Sequence, residues 1–137
     1  MDLLLTKNPI INSLHANCIN DYTSKYFETA TQLNIATGFI SNESIAELRR
    51  LIEYRKHTLN LSLFIGMNYI DGFTKLQYDA VKELGEKLIK NDLGNVYVSP
   101  KAMFHGKMYS FLKEGEWLGA FVGSSYLGSF IGTSQIL

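Results

Sequence analysis

Cysteine occurs once in this 137-residue chain, as Cys18. A single thiol forms no internal disulfide, and no Cys/His ligand spacing accompanies it, so a structural zinc is excluded and a reducing, cytoplasmic setting is expected. Charge of one sign is also missing: 13 basic residues face 13 acidic ones. That balance removes the basic footprint of a protein that grips nucleic acid over its whole surface, while leaving room for a local basic site. Long hydrophobic runs are absent. MDLLLTKNP has three leucines behind Asp2 instead of a basic region, which does not make a signal peptide. No charged residue follows Glu116 through Leu137, a stretch of 21 residues that raises the question of a membrane span. Gly119, Gly123, Gly128 and Gly132, with Ser124, Ser125, Ser129, Thr133, Ser134 and Gln135, make it too polar for one, so no membrane partner is expected. There is no internal repeat, low-complexity tract or linker.

What is present is apolar enough, at 46% hydrophobic residues, for one globular domain. Domains of about 150 residues bury roughly 68–70% of the surface their unfolded chains expose, so a core needs no disulfide or metal. Periodicity gives strands alternating with helices. Leu33 to Ile40 reads as a strand. Ser41 or Asn42 then caps a helix with Ile45, Leu48 and Ile52 on one stripe, Glu43 near its start and Arg55, Lys56 and His57 near its end. Leu59 to Gly66 is the second strand, and Asp71 caps a second helix with Leu76, Ala80, Leu84 and Leu88 on one stripe. Val96 to Ser99 is a third, brief strand. Residues 10–32 add an amphipathic helix. Met103 to Leu112 and Trp117 to Val122 are apolar on both alternating faces and joined by Lys113, Glu114, Gly115 and Glu116, which predicts a hairpin of two central strands. Strands buried on both faces imply layers on each side: an α/β fold, a mixed sheet flanked by helices on both faces.

A polar pair interrupts this hairpin. MFHGKMYSF places His105 and Lys107 two residues apart, on one face of a strand and about 7 Å apart along the backbone. Gly106 between them is expected to leave the other face open to a backbone or a ligand. A buried lysine needs an anion, and neither apolar run carries an acidic residue, so a substrate could supply it. The hairpin register puts Lys107 opposite Ala120 to Gly123, which brings the Gly123, Ser124, Ser125 turn within reach. Backbone amides of such a turn, together with serine hydroxyls, bind phosphate. An imidazole nucleophile, a lysine clamp and a hydroxyl nest suit phosphodiester chemistry.

The block FHGKMYSFLKEGEWLGAFVGSS resembles the His-x-Lys strand and Gly-Ser turn of the phospholipase D superfamily, in its branch of metal-independent nucleases and restriction endonucleases. The strand-helix order from residue 33 is similar too, so the resemblance covers roughly residues 30–130. It implies His105 as the nucleophile of a phosphohistidine intermediate, Lys107 on the non-bridging phosphate oxygens, and Ser124 helping to hold the phosphate, with Gly123 and Ser125 beside it. It also implies that no metal or other cofactor is needed. The family assembles one active site from two His-x-Lys motifs, and this chain has one, so a homodimer acting on DNA is expected. Two positions depart from the pattern: Leu112 replaces the family's aspartate, a loss shared by the nuclease branch, and Tyr126 replaces the asparagine of Gly-Ser-x-Asn. The whole chain, 1–137, then reads as a single catalytic domain that stops short of its C-terminal end.

Other readings stay open. A lone His-x-Lys in a strand is common, and a remnant that binds nucleic acid or a partner without turnover fits Tyr126. Arg49, Arg50, Arg55, Lys56 and His57 could touch a nucleic-acid backbone or form a solvated helix end. His15 and Cys18 read as packing residues. The common metal-dependent restriction fold is disfavoured, because no Asp or Glu stands two residues before a lysine anywhere in the chain.

Overall fold

A computed structural model describes residues 25–55, 58–68, 72–101 and 104–123. Residues 25–29 are helical, and seven elements follow: β1 (Gln32–Thr37), α1 (Asn42–Tyr54), β2 (Asn60–Ile65), α2 (Lys75–Lys90), β3 (Gly94–Val98), β4 (Lys107–Lys113) and β5 (Glu116–Gly123). The strands form one sheet in the order β3-β2-β1-β4-β5. β1, β2 and β3 run parallel, and β4 lies antiparallel to both β1 and β5. The mixed α/β sheet expected from the alternating pattern is thus present.

Both crossovers, β1-α1-β2 and β2-α2-β3, step the same way along the sheet, and right-handed connections then put both helices on one face. Leu33 and Ile35, Leu61, Leu63 and Ile65, and Tyr109 and Phe111 point to that face and are buried against Ile45, Leu48, Leu51 and Ile52 of α1 and Val81, Leu84 and Leu88 of α2. The helical residues 25–29 join the same layer, where Phe27 meets Phe111 edge to face at 5.0 Å and Tyr26 packs on Phe111 and Phe121. All described helices therefore cover one face. The other carries a polar row in which Gln32 donates to Asn34 and Asn34 donates to Ser110.

Local chemistry accounts for the ends. Ser41 caps α1 by accepting from the Ser44 amide. Thr74, and not Asp71, caps α2 through a capping box with Gln77. Asp71 lies outside the described residues, and the helix begins where the reciprocal Thr74–Gln77 pair satisfies its free amides. Of the expected stripe, Leu84 and Leu88 are buried with Val81 and Gly85 and Ala80 packs against the core, while Leu76, in the first turn, is 68% exposed. At the hairpin, Glu114 and Gly115 both take positive φ, 52° and 87°, the two-residue turn whose twist matches the strands. β4 is central as expected, but β5 is an edge strand among the described residues, with Trp117 and Val122 exposed. Its apolar alternation is not burial on two faces.

Candidate active site

Parallel strands of an α/β sheet expose their carboxyl ends as the usual ligand-binding edge. Here that edge collects the loops after β1, β2 and β3, the start of β4 and the end of β5, because β4 and β5 run antiparallel to one another.

Gly38 joins these loops. Its amide donates to the Gly106 carbonyl at 3.0 Å, and its own carbonyl accepts from the amides of Met67 and Asn68. A Cβ at position 38 would stand 2.8 Å from the Phe104 carbonyl oxygen and 3.0 Å from the His105 Cα, so only glycine lets the two backbones approach this closely. The Asn68 side chain, 4% exposed, accepts from the Ile40 amide at 2.9 Å, and Gln77 donates to the Ile40 carbonyl. The loop after β1 is thereby tied to the loop after β2, to α2 and to the segment that carries His105.

His105 does not lie in the strand. β1 ends at Thr37, which pairs with Lys107, so β4 begins at Lys107 and residue 105 has no partner across the ladder. The imidazole is exposed, with its ring edge-to-face against Phe39 at 5.4 Å. Gly106 does not leave an open face either: a Cβ there would stand 2.8 Å from the ring of Phe104, which folds back over it.

Lys107 is 6% exposed and opens β4 between Thr37 on one side and Gly123 on the other. The register expected for the hairpin, Lys107 opposite Ala120 to Gly123, is realised at its far limit. Lys107 shares a cavity of about 10 Å³, room for about one water, with Ile35, Thr37, Phe39, Ile40, Ser44 and Tyr109. Thr37 donates its hydroxyl proton to the Phe39 carbonyl at 2.7 Å, and burial pushes the Tyr109 phenol well above its ordinary value, so Tyr109 stays neutral beside the lysine. Phe39 thus touches the exposed imidazole and lines the same cavity as the buried ammonium. Ser124, Ser125 and Tyr126 lie outside the described residues, as do His15, Cys18, Lys56 and His57. Among the described residues no three His, Cys, Asp or Glu side chains gather to hold a metal ion.

The structure therefore brings His105, Lys107 and Gly123 to one edge and adds residues the motif did not name: Gly38, Phe39, Asn68, Thr37, Ser44 and Tyr109. Two of these left a trace in the sequence. Gly38 follows directly on the apolar run of β1, where an isolated glycine marks close backbone approach, and Tyr109 stands two residues after Lys107, on the same face by alternation. Asn68 left none, since its role depends on a loop from another strand. The arginines of α1 and of its C-cap are engaged elsewhere: Arg49 pairs with Glu83 and Arg50 with Glu47, each at 2.7 Å, and the cap residue Arg55 donates to the carbonyls of Phe27 and Ala30.

An exposed imidazole beside a sheltered cation can attack and clamp a phosphoryl group. Residues 16–135 match the model of one protein family, described as the NgoFVII restriction endonuclease N-terminal PLD domain. Among curated proteins, none matches the sequence significantly. No described helix is long and apolar enough to cross a membrane.

Proposed function

The chain belongs to the NgoFVII restriction endonuclease N-terminal PLD domain family, and on that premise we propose that it hydrolyses DNA phosphodiesters through a phosphohistidine, without metal, at a site shared by two copies. A ring nitrogen of His105 attacks phosphorus, forming a P–N bond as the P–O bond to the leaving nucleoside oxygen breaks. His105 of the partner subunit gives that oxygen its proton. It then takes a proton from a water that attacks the phosphohistidine, breaking the P–N bond and releasing the phosphomonoester, so each histidine ends as it began. Lys107, with its counterpart across the two-fold axis, carries the charge on the non-bridging oxygens, the task often given to a divalent cation. The Gly123, Ser124, Ser125 turn would hold the phosphate from the neighbouring strand.

The observation that carries this reading is the sheltered Lys107, held within one ladder rung of Gly123 while His105 stands exposed ahead of it. Two copies are invoked because one chain supplies one His-x-Lys, and an isologous pair supplies the second. The test is hydrolysis of DNA, or of bis(p-nitrophenyl) phosphate, in excess EDTA. Turnover is expected there and is expected to vanish in His105→Ala; cleavage that needs magnesium, or that survives the substitution, sinks the mechanism. Tyr126 at the family's asparagine position favours a second reading, a domain that binds DNA in a salt-sensitive way without turnover.

A further inference from the structure

The balanced net charge conceals an uneven distribution along the sheet. At the edge opposite the candidate site, cations stand among acids or carbonyls. Lys87 is paired with Glu53 at 2.5 Å, Arg55 with two main-chain carbonyls, and Lys25, Lys90 and Lys113 each have Glu28, Asp92 or Glu114 within three positions. At the site edge the balance differs. Lys75 opens α2 and Lys101 follows β3; both are exposed and neither pairs with a described carboxylate, the nearest described acids being Glu43 in the first turn of α1 and Asp79, one turn on from Lys75.

Lys75 is also placed against local helix electrostatics. α2 has no acid in its first turn, so the lysine adds to the positive end of the helix, whereas Glu43 offsets that end in α1. A position that costs the isolated helix stability is explained by an anion outside it. The groove of about 880 Å³ between α2 and β3 has Lys75 and Pro100 on its lining, which puts Lys75 near the segment carrying Lys101. Between β4 with Lys107 and β3 with Lys101 lie three strand spacings, about 14 Å. That is about four nucleotides of rise at 3.4 Å per step of one strand.

We infer that Lys101 and Lys75 extend the site into a phosphate track, along which the DNA strand flanking the scissile phosphate crosses the carboxyl edge from β4 to β3. The inference rests on the reading of DNA as substrate and goes beyond it by giving the strand a direction and two contacts. Each contact should release about one counterion, adding about 0.9 to the slope of log K against log salt.

The experiment measures binding of a short DNA duplex to the full chain across a salt series, in EDTA, for the unaltered protein, for Lys75→Gln/Lys101→Gln and for Lys90→Gln/Lys113→Gln at the opposite edge. The track predicts a slope lower by about 1.8 in the first pair, no change in the second, and restoration by Lys75→Arg/Lys101→Arg. An unchanged slope in the first pair, an equal fall in both pairs, or no salt-dependent binding by the unaltered protein overturns it. Hydrolysis of bis(p-nitrophenyl) phosphate by the unaltered protein is recorded separately: its absence overturns the nucleophile assigned to His105 and leaves the track standing or falling on the slopes.

Discussion

The two edges of the sheet end the same strands but hold their cations in contrasting surroundings. At the amino edge, the half-buried guanidinium of Arg55 donates to the carbonyls of Phe27 and Ala30 and pins the 25–30 segment onto the helix layer. At the carboxyl edge, the ammonium of Lys107 is as sheltered as a core residue, yet it sits on the rim of a water-sized cavity beside Thr37, Ser44 and a neutral Tyr109. Arginine suits the first task because its planar fork reaches two acceptors at once, and lysine suits the second because a compact charge can serve a transient anion. One edge uses its cation on the fold, and the other holds its cation at the rim of a small cavity.

Substitutions can break this contrast. The largest effect is expected from Lys107→Met, which keeps the stem and removes the charge. Diester hydrolysis per folded molecule should fall by about 10²–10³-fold, the cost of losing one oxyanion donor. A parallel loss of stability would make Lys107 a structural residue like Arg55. Arg55→Ala is the mirror experiment. Chemical denaturation should register about 1–3 kcal/mol of destabilisation from the two carbonyls it leaves, with turnover per folded molecule preserved. A drop in turnover at full folding would show the two edges to be coupled.

Smaller effects come from the caps at the carboxyl edge. Thr74→Ala removes one half of the α2 capping box and should cost about 1 kcal/mol in denaturation. It would also loosen Gln77, which donates to the Ile40 carbonyl. The smallest change expected is in the acid limb of stability. The Glu43 carboxyl is held below its ordinary range, first by its own backbone amide and then by the Ser41 hydroxyl. A folded-state pKa lower than the unfolded one contributes stability above the unfolded value and loses it as pH falls through the folded value. Glu43→Gln should therefore flatten the decline in melting temperature below about pH 4.5, and a steeper decline would contradict the capping role.

Much of the fold was legible because its signals are local. The stripe of Ile45, Leu48 and Ile52, the cap at Ser41 and the turn at Glu114 and Gly115 each depend on neighbours within a few residues, and each is found. Leu76 misled because a stripe alone does not show which of its turns reaches the core, and the first turn of α2 does not. β5 misled because an apolar alternation does not distinguish a central strand from an edge. At the site, the placing of Lys107 opposite residues 120–123 was accessible by counting from a short turn, although a bulge between Phe111 and Leu112 moves its partner from Val122 to Gly123. That His105 stands outside the ladder was not, since β1 must first be known to end at Thr37.

The sequence by itself determined the alternation of strands and helices, the hairpin connection at residues 113–116 and the placing of an imidazole and an ammonium two residues apart, because covalent spacing and nearest-neighbour hydrogen bonds decide all three. Only the tertiary structure decided that Gly38 admits the His105 backbone, that Asn68 locks the loop beneath Phe39, and that Lys107 is sheltered while Lys75 and Lys101 are open. Those outcomes depend on which distant segments meet at one edge of the sheet, and contact between segments far apart in the chain is fixed by packing, not by any residue's own neighbours.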